Sequence, residues 1–206
     1  MTFCPKGLYA LTPDGCPSLL ESVEKAIVGG ACVIQYRDKT ASTAERKERA
    51  EALLTLCRSR HIPLIINDDL DLALALDADG VHLGADDVSI DEARNRFPDG
   101  LIGASCYNDF TRAQTAFRSG ASYVAFGSFY ASPTRPDAVT AQPDLLMRAC
   151  RELPIPVCAI GGISMDNATS IIQAGADLLA VCSGIFAQPD VAAAAHSIAS
   201  KFDANG

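Results

Sequence analysis

The chain has 206 residues, 49% of them hydrophobic and 20% charged, with a formal net charge of −8. That is enough for one domain with a sizeable core, and the composition is that of a globular rather than a disordered protein. The negative charge argues against a general nucleic-acid binder, and any polyanionic ligand must be held by local cations against the global field.

The eight cysteines, Cys4, Cys16, Cys32, Cys57, Cys106, Cys150, Cys158 and Cys182, form no CxxC pair. Several lie in apolar runs, which predicts buried thiols in a reducing compartment and no zinc site. Met1–Lys6 has no signal pattern, and no apolar run approaches the roughly 20 residues of a membrane span. A cytoplasmic protein is expected.

In chain order, Gly7–Leu11 is a strand ended by the turn cluster Thr12-Pro13-Asp14-Gly15. Leu19, Leu20, Val23 and Ile27 recur at helical spacing up to Gly29-Gly30. Ala31–Tyr36 is strand 2, followed at once by Arg37, Asp38 and Lys39. Ser42 or Thr43 caps a helix running to about Ser59. Strand 3, Pro63–Ile66, ends in Asn67, Asp68 and Asp69; strand 4, Gly80–Leu83, ends in Gly84, Asp86 and Asp87. Leu70–Leu76 between them allows only about two helical turns. A helix from Ile90 to Phe97, strand 5 at Leu101–Ser105 and a helix at Asp109–Ser119 follow. Strand 6, Tyr123–Gly127, leads into a long polar connection, 128–142, of a length that is usually functional or mobile. Pro143 opens the next helix. Pro156–Ile160 is strand 7, Met165–Ala174 a helix, Leu178–Val181 strand 8 and Val191–Phe202 the closing helix.

A faint repeat recurs where helices give way to strands: Gly29-Gly30-Ala31, Ala78-Asp79-Gly80, Gly120-Ala121-Ser122 and Gly175-Ala176-Asp177. Strict strand–helix alternation implies a parallel sheet, and eight units imply a closed α/β (β/α)8 TIM barrel, a single domain over 1–206. An open doubly wound sheet would carry its glycine fingerprint after strand 1, where Thr12-Pro13-Asp14-Gly15 is not one.

In such a barrel the chemistry sits at the carboxyl ends of the strands. From strand 2 onward these ends supply Gln35, Arg37 and Lys39; Asn67, Asp68 and Asp69; Asp86 and Asp87; Ser105; Ser132, Thr134 and Arg135; Gly161 and Gly162; and Cys182 and Ser183. Two acidic clusters on neighbouring strand ends repel each other, and a hard divalent cation such as Mg²⁺ relieves that; Asp-rich turns capping helices are the plainer alternative. Residues 35, 37 and 39 share one face, directed into the barrel mouth. Gly161-Gly162 and the helix opened by Ser183-Gly184 suit a phosphate, although a tight turn explains the glycines equally well. His82 reads as a hydrogen-bonded core histidine rather than a base. Neither a Ser–His–Asp nor a Cys–His arrangement stands out. Together the groups describe two phosphorylated ligands, one a metal-chelated diphosphate whose departure the metal and cations assist.

With these residues in place the sequence resembles the thiamine-phosphate synthase family, over nearly its whole length. The resemblance rests on Gln35-Tyr36-Arg37-Asp38-Lys39, Asn67-Asp68-Asp69, VHLGADD at 81–87, Gly103-Ala104-Ser105, the 127–135 loop and AIGGIS at 159–164. It implies that 4-amino-2-methyl-5-pyrimidinylmethyl diphosphate is joined to a thiazole phosphate, with loss of pyrophosphate, by a dissociative route. It further implies Mg²⁺ on Asp68 and Asp87. The pyrimidine diphosphate falls to Gln35, Tyr36, Arg37, Asp38, Lys39, Asn67, Ser105 and Arg135. The thiazole phosphate falls to Ser132, Thr134, Gly162, Cys182 and Ser183. Arg37, Lys39, Ser105 and Arg135 are the expected catalytic groups. The chain departs from the family in Arg135, where Lys is usual, in Pro133 ahead of Thr134, and in Cys182. Two other readings are a thiazole tautomerase-like isomerase and a catalytically silent phosphate-binding barrel. The expected partners are the two small phosphorylated molecules, not nucleic acid or membrane, with a homo-oligomer left open.

Overall fold

The computed structural model describes residues 6–131 and 140–204. Eight parallel strands close into a barrel in sequential order. The elements are β1 (Gly7–Leu11), α1 (Leu19–Val28), β2 (Ala31–Tyr36), α2 (Thr43–Ser59), β3 (Leu64–Asn67), α3 (Leu70–Ala75), β4 (Gly80–Leu83), α4 (Ile90–Arg96) and β5 (Leu101–Tyr107). They continue with α5 (Phe110–Arg118), β6 (Tyr123–Phe126), α6 (Pro143–Glu152), β7 (Val157–Ile160), α7 (Ala168–Gln173), β8 (Leu178–Val181), α8 (Ser183–Phe186) and α9 (Val191–Asp203). The (β/α)8 expectation holds, and β1 closes the ring against β8 with Gly7 opposite Leu178. Among the described residues no helix is long and apolar enough to cross a membrane.

Short polar signals start the helices. Ser42 and Glu45 form a reciprocal capping box at α2, and Ser89, Asp109 and Asp190 accept from backbone amides at the starts of α4, α5 and α9. Two boundaries differ from expectation by more than one residue. α7 begins at Ala168 rather than Met165, because Ser164 N–H donates to Asn167 Oδ1 and that turn occupies the preceding residues. β5 runs on to Tyr107, past a register shift against β6 between Ser105 and Tyr107.

Strand alternation sorts the core into two. Leu8, Ile34, Ile66, Val81, Ile102, Val124 and Leu179 pack outward against the helices. Tyr9, Leu11, Val33, Ile65, Tyr123, Ala125, Cys158, Leu178 and Ala180 fill the barrel itself. The amino-terminal end is stitched by the repeat noted above. Asp79 accepts from Leu64 N–H at 2.9 Å, Asp177 from Val157 N–H at 2.9 Å and Ser122 Oγ from Ile102 N–H at 3.0 Å. The residue before one strand thus caps the start of the preceding one. Arg94 adds to this end, donating to the carbonyls of Phe97, Pro98, Gly100 and Gly120 and to Ser122 Oγ.

Candidate active site

The carboxyl end of β1 organises the end of β2. Thr12 Oγ1 accepts from Arg37 N–H and donates to Arg37 O, both at 2.9 Å. Asp14 accepts from the Arg37 guanidinium and from Lys39 N–H, each at 2.7 Å. Thr12 and Asp14 were not among the site residues expected from the sequence. The signal that finds them is plain: Thr12-Pro13-Asp14 stands at the carboxyl end of strand 1, where the same barrel rule places site residues.

Alternation separates the run 35–39. Gln35 is buried within the barrel, and Lys39 Nζ reaches Asp68 Oδ2 at 3.2 Å. Tyr36 and Asp38 are placed differently. Tyr36 packs in the outer core. The Asp38 carboxylate accepts from Arg49 at 2.7 Å and from Thr40 and Ala41, with the side chain 2% exposed. Ile34 and Tyr36 face the helices and the Asp38 carboxylate holds the turn into α2, while Tyr36 and Asp38 also line the cavity beside Lys39, Asn67 and Asp68.

The two acidic clusters meet. Asp68 N–H donates to His82 O, which ties the end of β3 to β4, and a φ of 65° turns the chain there. Asp69 takes the plainer role, accepting from Leu72 N–H as the α3 cap. Asp87 accepts from Gly84 N–H at 2.6 Å. Burial, together with the neighbouring Asp68 carboxylate, pushes the Asp87 carboxyl above its ordinary value, against the pull of Gly84 N–H and Lys39. Two carboxylates forced together offer the hard oxygen donors that Mg²⁺ favours. Among the described residues no group of three or more His, Cys, Asp or Glu forms a metal cage. The donor set therefore fits an ion that keeps water or ligand oxygens in its shell. Beside Lys39, Asn67 and Asp68 opens a cavity of about 520 Å³, also lined by Tyr36, Arg46 and Arg96.

Arg112, on α5, fastens this corner from behind. Its Nε donates to Ser105 O at 2.7 Å and its Nη2 to Gly84 O at 3.0 Å, with the guanidinium 5.8 Å from the Tyr107 ring centroid. Tyr107, at a φ of 54°, accepts from Ala85 N–H through its hydroxyl. Helical spacing alone gives no hint of either contact.

His82 is buried and bonded on both ring nitrogens, to Tyr123 Oη at 3.0 Å and Ser105 Oγ at 2.9 Å. Burial holds its pKa down at about 4, so the ring is neutral. It is the hydrogen-bonded core histidine that its strand position suggests. Burial likewise raises the Cys106 thiol to about 12 and that of Cys182 to about 11, which leaves neither poised as a nucleophile.

Across the mouth, Gly161 and Gly162 have φ of 100° and 62°. A Cβ at Gly162 would lie 2.5 Å from Ala131 O, so the glycine admits the start of the β6–α6 connection. Cys182 caps α8 and Ser183 opens it. Ser132, Thr134 and Arg135 lie outside the described residues.

A closed parallel barrel whose cations, paired carboxylates and glycine turns gather at the carboxyl ends of its strands is laid out as a (β/α)8 barrel enzyme. The sequence profile of thiamine monophosphate synthase matches residues 8–185. The chain is 52% identical to the thiamine-phosphate synthase of Thiobacillus denitrificans over 204 residues, covering 97% of this chain and 96% of that one. The thiamine-phosphate synthase of Aromatoleum aromaticum is 46% identical over 202 residues, with 97% of each covered. The solved thiamine phosphate pyrophosphorylase of Pyrococcus furiosus superposes with a TM-score of 0.90 at 35% identity, covering 98% of this chain and 97% of that one. The chain belongs to the thiamine-phosphate synthase family, and its activity is that of a transferase of thiamine biosynthesis. The isomerase and the silent barrel are not favoured.

Proposed function

We propose that the chain joins 4-amino-2-methyl-5-pyrimidinylmethyl diphosphate to the thiazole phosphate and releases pyrophosphate, using Mg²⁺ held by Asp68 and Asp87. The observation that carries this reading is the meeting of Asp68, Asp87 and Lys39 at one corner of the mouth, with Arg37 held at the end of β2 by Asp14. When bound, the divalent ion stabilises negative charge gathering on the departing diphosphate.

The rest falls to the chain. Arg37 and Lys39 face the leaving group with positive charge, and Asp14 and Thr12 fix where they stand. Arg135, one residue in a connection assigned by resemblance, adds a third cation able to bind phosphate in a fork. Asn67 and Ser105 complete the pyrimidine diphosphate's contacts. The bond from the pyrimidine methylene carbon to the diphosphate oxygen breaks, and the oxygen keeps the electron pair. The aminopyrimidine ring stabilises the resulting cation, and the thiazole nitrogen supplies the pair for the new carbon–nitrogen bond. That route needs no protein nucleophile, which agrees with thiols held protonated and a neutral, doubly bonded His82. Ser132, Thr134, Gly162, Cys182 and Ser183 hold the thiazole phosphate, in good part through backbone N–H groups. For Tyr36 and Asp38 the role is to set the course of the backbone between Gln35 and Lys39.

A coupled assay for pyrophosphate release tests the reading. Release is expected only with both substrates and Mg²⁺ present. Binding of both substrates without release would overturn it.

A further inference from the structure

Four hydrogen bonds cross the barrel interior in one unbroken line. Gln35 Nε2 on β2 donates to Tyr9 Oη on β1 at 2.7 Å, and Tyr9 Oη meets Tyr123 Oη on β6 at 2.8 Å. Tyr123 Oη meets His82 Nδ1 on β4 at 3.0 Å, and His82 Nε2 meets Ser105 Oγ on β5 at 2.9 Å. The line sits in an otherwise apolar interior, with Tyr9, Tyr123, Gln35 and His82 all buried. Gly103 makes room for its centre: a Cβ there would lie 2.2 Å from Tyr123 Cζ and 2.5 Å from His82 Nδ1.

The direction of the line follows from counting protons. An amide nitrogen has no lone pair to offer, so Gln35 Nε2 can only donate. Were Tyr9 to accept from Tyr123 as well, its own buried proton would be stranded, so Tyr9 donates to Tyr123, and Tyr123 in turn to His82 Nδ1. A neutral imidazole that accepts at Nδ1 carries its proton at Nε2, and that proton goes to Ser105 Oγ. Ser105 is left with its own proton unspent. In the opposite sense, Ser105 would give its proton to His82 and turn only lone pairs outward.

We propose that Tyr9, Tyr123 and His82 are positioning residues that hold the Ser105 hydroxyl as a hydrogen-bond donor toward the substrate. The difference matters because a diphosphate oxygen accepts and does not donate. A Ser105 of the opposite sense sets lone pair against anion. The proposal rests on Ser105 being a contact of the pyrimidine diphosphate, as read above, and its two parts can fail separately.

The imidazole tautomer is read directly by ¹⁵N correlation spectroscopy on histidine-labelled protein. With only three histidines in the chain, His82 is assigned by the loss of its signals in His82→Gln. The expected pattern is protonation at Nε2 in the wild type and a shift of the population toward Nδ1–H in Tyr123→Phe. Kinetics give the second arm. Ser105→Ala and Tyr123→Phe should each raise KM for the pyrimidine diphosphate about tenfold, as loss of one hydrogen bond to a charged group does, with a smaller change in kcat. The double variant should be no worse than the worse single one. If Tyr123→Phe folds poorly, Tyr9→Phe cuts the line one bond further away and should move KM the same way.

Protonation at Nδ1 in the wild type overturns the proposal. So do losses that multiply in the double variant, since a merely structural role gives independent effects. Wild-type kinetics in Ser105→Ala would remove Ser105 from the substrate site and with it the positioning role, while the tautomer would still report the direction of the line.

Discussion

The two ends of the barrel use the same residue types to opposite ends. At the amino-terminal end Asp79 and Asp177 each accept one strand-opening N–H, and Arg94 spends its guanidinium on four carbonyls and a serine hydroxyl. These three side chains are spent mainly on backbone. At the carboxyl-terminal end Asp68 and Asp87 face each other and Lys39, and Arg37 is held at the mouth by Asp14. Arg112 is the counterpart of Arg94, but the carbonyls it gathers are those of Ser105 and Gly84, which frame the site. One end spends charge on finishing the fold and the other gathers charge around the mouth, the division expected of this architecture.

Substitutions at matched positions test that division. The largest effect is expected from Asp68→Ala or Asp87→Ala. Mg²⁺-dependent turnover should fall by at least about 100-fold, the several kcal/mol that a Lewis acid contributes, while circular dichroism and thermal unfolding stay near wild type. Full activity in either variant would remove that carboxylate from the metal site. Arg94→Met should do the reverse. Stranding several carbonyls is expected to cost about 2–4 kcal/mol in denaturant unfolding, with kcat per folded molecule unchanged. Arg112→Met lies between the two: kcat/KM should drop about tenfold with little loss of stability, and Arg112→Lys should rescue poorly because an ammonium cannot fork between two carbonyls. A loss of stability as large as that of Arg94→Met would place Arg112 with the fold instead.

The smallest effects concern pH. Asp87 and Asp177 both have folded-state values raised, chiefly by burial. The folded protein therefore binds more protons than the unfolded chain in that window. Stability of the metal-free protein should fall as pH rises from the unfolded carboxylate value of about 3.9 through the raised folded value. Asp87→Asn and Asp177→Asn keep an acceptor oxygen for Gly84 N–H or Val157 N–H and remove the charge. Each should flatten that slope and raise the metal-free Tm at pH 7 by a few degrees at most. Only Asp87→Asn should also abolish the Mg²⁺ dependence of turnover. A lower Tm in Asp177→Asn would show that its carboxylate is needed as a charge.

Much of the barrel was legible because its signals are local. Ser42 and Glu45, Asp109, Pro143 and the Gly–Asp junctions each mark a boundary within a few residues of where it falls. The acidic corner was legible because pairing of β3 with β4 brings their carboxyl ends together, and the turn at Gly84 returns Asp87 to Asp68. What escaped depends on packing across the barrel. Tyr9, Tyr123 and His82 belong to strands 1, 6 and 4, and nothing in the periodicity of any one of them says that their polar tips meet. Arg112 escaped for a similar reason: it leaves α5 to bind the ends of β4 and β5. Tyr36 and Asp38 are set by packing too: Tyr36 lies in the outer core and Asp38 pairs with Arg49, and both line the cavity beside Lys39, Asn67 and Asp68.

The strictly sequential strand order has a consequence for how the enzyme comes into being. Travelling round the rim is the same as travelling along the chain. A growing polypeptide therefore lays down the clasp of Thr12, Asp14 and Arg37 first, then the acidic corner, and only with β8 the turn at Cys182 and Ser183. On the reading proposed above, Arg37, Lys39, Asp68 and Asp87 are all laid down in the first half of the chain, whereas Cys182 and Ser183 arrive only as β8 closes the ring against β1.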